Sequence, residues 1–90
     1  MRVDPCRHYE PFMHLGSVVF AMRVDGALTL WQVPSQCFGD QLHQGSPLAT
    51  FQDYRNQIEE AVRRYCLTLD APPSKRTTIP PYLLEHITSA

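Results

Sequence analysis

Ninety residues with 43% hydrophobic and 19% charged side chains have room for one packed core and too many apolar groups for a disordered tail. Eight basic against nine acidic side chains leave a net charge of -1, so no overall field draws the chain to nucleic acid or to an anionic membrane surface. The 3 cysteines, Cys6, Cys37 and Cys66, form no CxxC pair and suit free thiols in a reducing cytoplasm better than a disulfide framework.

Residues 1–16 hold Pro5, Pro11 and Gly16 among ionisable neighbours, which predicts an irregular arm with a short edge strand around 9–13. Its first residues lack the apolar run of a secretory signal, and the longest apolar stretch, 18–22, is too short to span a bilayer; both point to the cytoplasm. Two β-rich runs then flank Asp25-Gly26, a dipeptide that tolerates the positive φ angles of a type I′ turn, so a tight hairpin over about 18–33 is predicted. With Asp25 and Gly26 as the loop, Val24 faces Ala27, Met22 faces Thr29, Phe20 faces Trp31 and Val18 faces Val33, making one apolar face. The opposite face carries Val19, Ala21, Leu28 and Leu30, interrupted by Arg23 and Gln32. That is too apolar for plain solvation, and it requires a cover of its own.

Pro34-Ser35 ends the second strand and opens a short helix over about 36–42, with Cys37, Phe38 and Leu42 inward, before Gly45-Ser46-Pro47 breaks the chain. From 50 to 68, Phe51, Tyr54, Ile58, Ala61, Val62, Tyr65 and Cys66 recur at the spacing of one helical face. Thr50 with Asp53 resembles a capping box, and Ser46 before Pro47 is the alternative start. The outward face holds Asn56, Glu59, Glu60, Arg63 and Arg64, with Glu59–Arg63 and Glu60–Arg64 spaced as surface ion pairs. A proline-rich loop covers 70–81, with a brief strand over 76–79, and Pro80-Pro81 introduces a last helix over 82–87 that docks Leu83, Leu84 and Ile87.

The expected fold is α+β in a single domain over 1–90: a small antiparallel sheet of three or four strands built on the hairpin, packed against one long helix (50–68), with short flanking helices. Val18-Val19-Phe20-Ala21 leading to Val24-Asp25-Gly26, then Gln32-Val33-Pro34-Ser35 and Phe38-Gly39-Asp40, then Phe51, Arg55, Ile58, Glu59 and Ala61, form an ordered pattern over 9–69. In this pattern the chain resembles a family of short bacterial proteins, the domain of unknown function family fourteen eighty-eight. The resemblance implies a compact α+β fold in a bacterial cytosol and carries no activity, cofactor or catalytic residue.

Ligand types for a metal are present in Cys6, His8, His14, Cys37, His43, Cys66 and His86, but none has a structural-zinc spacing, so no metal or cofactor is expected. No GxSxG elbow, Cys-His context or paired-glycine phosphate loop occurs, which argues against an enzyme. Arg63, Arg64, Lys75 and Arg76 read as a solvated face beside two acids and not as a nucleic-acid footprint. Arg55 stands out, because it lies between Phe51 and Ile58 on the inward side of the helix and must find an acceptor, such as Asp25, Asp40 or a bound anion. Trp31 and Phe20, with Leu28 and Leu30, are candidate interface residues, since aromatic anchors dominate binding hot spots. The expected function is a non-enzymatic interaction or regulatory adaptor domain, a homodimer or the partner of another protein. The alternative is a small-ligand or anion-binding module using Arg55, with an enzyme third.

Overall fold

A computed structural model describes residues 2–41, 46–71, 73 and 76–84. Expectations for Leu42, His43, Gly45, Lys75, His86 and Ile87 lie outside these residues, as does the side chain of Asp40.

The hairpin forms as expected from its turn. Strands β3 (Ser17–Val24) and β4 (Ala27–Pro34) pair antiparallel with Val24 opposite Ala27, Phe20 opposite Trp31 and Val18 opposite Val33. Asp25 and Gly26 take φ of 52° and 83°, the left-handed pair that matches the twist of the flanking strands. The arm contributes more than one edge strand. Strand β1 (Val3–Pro5) pairs antiparallel with the Val24 end of β3, and β2 (Phe12–His14) pairs antiparallel with its Ser17 end, on the same edge. Pro5 is tolerated because it lies opposite Met22, whose own backbone bonds point to β4, so the missing N–H falls on the open side. The edge strand expected around 9–13 lies at Phe12–His14.

The sheet has five strands and is mixed, where three or four antiparallel strands were expected. Strand β5 (Arg76–Thr78) runs parallel to β4, with Trp31 opposite Thr77. The cause is the connection: a chain that crosses the sheet through one long helix returns in the direction in which it left. That helix, α1 (Pro47–Leu67), starts three residues before Thr50, at the alternative start. Ser46 Oγ accepts from Ala49 N–H at 3.2 Å, and Pro47 occupies the first turn, where its missing donor costs nothing. Thr50 is buried and its hydroxyl donates to the Ser46 carbonyl at 3.0 Å, so the Thr50–Asp53 box does not form the cap. The short helices expected from 36 and from 82 are 3-10 helices over Ser35–Gln41 and Pro81–Leu84, and they place Phe38 and Leu84 in the core.

The core lies between α1 and the face of the sheet that carries Val18, Phe20, Met22, Val24, Trp31 and Val33. Phe20 meets Phe51 with ring centroids 4.9 Å apart, and Trp31 meets Tyr65 edge-on at 6.2 Å and 89°. The buried indole N–H donates to Thr29 Oγ1 at 2.9 Å, and that hydroxyl donates to the Met22 carbonyl at 3.0 Å, so the polar end of Trp31 is satisfied inside the core. On the opposite face Val19 and Ala21 are also fully buried, together with Cys6. Cys6 N–H reaches the Ala21 carbonyl, which holds the chain between β1 and β2 along this edge of β3.

Candidate functional site

Phe51, Arg55 and Glu59 follow one another at intervals of four on α1, so their side chains form a single stripe. The Arg55 guanidinium sits 5.7 Å from the centre of the Phe51 ring and donates through Nε to Glu59 Oε2 at 3.1 Å. Its acceptor is therefore Glu59 and not Asp25, which accepts from the Arg2 N–H at the far end of the hairpin. Glu59 is 4% exposed and belongs to the interior, which corrects its reading as an outer-face partner of Arg63. Its second oxygen accepts from Arg7 Nη2, and the same nitrogen donates to Asn56 Oδ1 at 2.6 Å. Arg55 Nη2 is buried and has no acceptor among the described residues. One carboxylate thus serves two guanidinium groups.

The next turn of the helix carries a more exposed cluster. Glu60 accepts from Arg63 Nε at 2.9 Å and from Arg63 Nη2, and Arg64 Nε approaches it at 3.3 Å. The Arg63 hydrogen bonds hold the Glu60 carboxyl down from the usual 4.5 to about 2. A carboxylate whose folded-state value is depressed stabilises the fold above its ordinary titration range and loses that contribution as pH falls. A side-chain NMR titration should place the Glu60 midpoint near pH 2, with its stabilisation disappearing between about 4.5 and 2; a midpoint at the ordinary value would mean that the Arg63 pair does not persist in solution.

Between the arm and α1 lies a crevice of about 190 Å³. Val3, Pro5 and Met22 give it an apolar lining, and Arg7, Asn56, Arg63, Glu59 and Glu60 a polar one. Two lining carboxylates, Glu59 and Glu60, are shared by four guanidinium groups, of which Arg7 and Arg63 line the crevice and Arg55 and Arg64 do not. The expected site residue Arg55 does not line the crevice; it holds Glu59, which in turn holds Arg7. Reading Glu59 against Arg63 hid this arrangement, although its position four residues beyond Arg55 on the apolar stripe was the available signal.

The proposed interface residues separate into two groups. Phe20 and Trp31 are fully buried under α1, where the core takes their whole side chains, and they are not available to a partner. Leu28 is 43% exposed and Leu30 half-buried on the outer face. A second apolar patch went unread: Phe12, Met13 and Leu15 are 36%, 42% and 92% exposed around the β2–β3 turn. Leu15 and Gly16 are the two loop residues of that turn, with φ of 48° and 80°, and for a bulky residue such as leucine the left-handed region is a costly outlier.

The thiols of Cys37 and Cys66 are pushed up by burial, away from thiolate character at neutral pH. Among the described residues no three His, Cys, Asp or Glu side chains converge, and no helix is long and apolar enough to cross a membrane. No family model, curated protein or solved structure matches the chain.

Proposed function

We propose that the chain is a non-enzymatic interaction domain of the cytoplasm that pairs with a second copy of itself through the β2–β3 hairpin tip. The observation that carries this reading is Leu15, which is 92% exposed and held at positive φ. Left-handed backbone costs an L-residue of this kind about 1–2 kcal/mol, and asparagine or glycine avoids most of that cost at a turn. An exposed apolar side chain at a strained position brings no gain to the isolated fold. It gains only when something covers it.

A second copy suits the geometry. In β2 the backbone bonds of Phe12 and His14 point to β3 and those of Met13 point to the open edge. Antiparallel pairing of two such edges about a two-fold axis sets Met13 on Met13 and Phe12 opposite His14, a self-complementary arrangement. A net charge of -1 offers little repulsion between copies. Free cysteines at 6, 37 and 66 agree with a reducing compartment.

Leu15→Asn should yield a monomer by light scattering under conditions where the parent chain is a dimer, while its dilute, monomeric fold gains about 1 kcal/mol from relieved strain. A parent chain that is monomeric at hundreds of micromolar would overturn the proposal. So would a dimer that survives Leu15→Asn and dissociates with Leu28→Ser, which would move the contact to the outer face of the sheet.

A further inference from the structure

We infer that the crevice between the arm and α1 is a binding site for a small organic anion, a carboxylate or phosphate head on a short apolar body. The first ground is charge. Arg7 and Arg63 line the crevice beside Glu59 and Glu60, and each of these carboxylates is shared with a second arginine that does not line it, Arg55 for Glu59 and Arg64 for Glu60, so the lining cations are only partly neutralised. The second is unused donors. A guanidinium has five N–H groups; Arg7 engages only Nη2 and Arg63 only Nε and Nη2, which leaves both with unused donors among the described residues.

The third ground is preorganisation. Arg7 is clamped by Asn56 and Glu59, and Arg63 is clamped by Glu60, so an entering anion meets donors already fixed in place and loses less in ordering them. The carboxylates that fix these donors also repel an acidic ligand from any position except the one facing the open N–H groups, which narrows the pose. The fourth ground is the apolar lining: Val3, Pro5 and Met22 offer no hydrogen bond and suit methylene or ring carbon. At about 190 Å³ the space lies below the roughly 300–1,000 Å³ of sites for drug-sized molecules, so the occupant is small. This site stands apart from the hairpin tip, and Leu15→Asn leaves it intact.

The experiment is an NMR titration of the full chain at low ionic strength with butyrate, phenyl phosphate, inorganic phosphate and butylammonium, repeated on R63Q and R7K. Butyrate and phenyl phosphate should shift the resonances of Val3, Met22 and Asn56 with millimolar or tighter affinity, and butylammonium should not. Arg63→Gln should weaken both about tenfold, the loss expected for one charge-assisted hydrogen bond. Arg7→Lys, which keeps the charge and loses the fork, should weaken phenyl phosphate by a similar factor with the helix signal unchanged. Equal shifts with butylammonium, shifts confined to residues outside the crevice, or affinities unaltered in both variants would overturn the assignment. Inorganic phosphate binding as tightly as phenyl phosphate would overturn the role given to the apolar lining.

Discussion

Glu59→Leu should destabilise the fold by roughly 3–5 kcal/mol, the cost of stripping one partner from a buried ion pair. Arg55 is 12% exposed and already has one nitrogen without an acceptor among the described residues, so the loss of Glu59 leaves its charge buried beside the Phe51 ring. Arg7, being half-exposed, can turn to water and adds less. Arg55→Met should cost less than Glu59→Leu, because Glu59 keeps Arg7 while an unsatisfied donor is removed. The double replacement should recover part of the loss, with a coupling of about 0.5–3 kcal/mol in a double-mutant cycle from urea unfolding at pH 7. A Glu59→Leu penalty below 1 kcal/mol would mean that the carboxylate is solvated and the cluster is not the buried arrangement described.

Trp31→Ala should cost about 3–5 kcal/mol, enough to leave a small domain marginal or unfolded. The indole is fully buried, it presents its face or edge to Tyr65, and its N–H completes the chain through Thr29 to the Met22 carbonyl. Trp31→Phe separates these contributions: it keeps most of the packing and removes the donor, and Thr29 retains its own bond to Met22. Its cost should fall well below that of the alanine variant. Leu28→Ser, on a half-exposed side chain of the same strand, should stay within about 0.5 kcal/mol. Circular dichroism during urea unfolding reads all three, since the helix signal does not depend on the indole. A Trp31→Ala variant as stable as Leu28→Ser would place the side chain outside the core.

The parts of the fold that were legible were those with one dominant local cause. Asp25-Gly26 admits positive φ at both positions, and once that turn is set the two-residue period leaves one register, so every facing pair from Val24 to Val18 followed. The stripe from Phe51 to Cys66 likewise allows one inward face. Where two local signals competed, the helix start remained open between Thr50 and Ser46; the proline at 47 decided it by requiring a first-turn position. Strand β1 falls in the stretch expected as an irregular arm because three residues carry little periodicity, and it contains a proline that only the knowledge of an open edge excuses; β5 matches the brief strand expected over 76–79, but its parallel pairing with β4 has no local signal. Glu59 was misread for a related reason. A glutamate flanked by charged neighbours reads as solvated, and its burial depends on Arg7, half a chain away, closing over it. Leu15 gave no signal beyond a leucine before glycine.

The parallel docking of β5 against β4 has a consequence for synthesis on the ribosome. The ribbon that ends at Pro34 leaves the exit tunnel well before the segment that will roof it, and the last strand follows later still. At roughly 5–20 residues per second, the nascent ribbon spends on the order of seconds with its aromatic side wet. Anything that lengthens the interval between emergence of the ribbon and emergence of the helix lengthens a window in which two nascent chains can stick together, and should lower the soluble yield of an otherwise unchanged sequence.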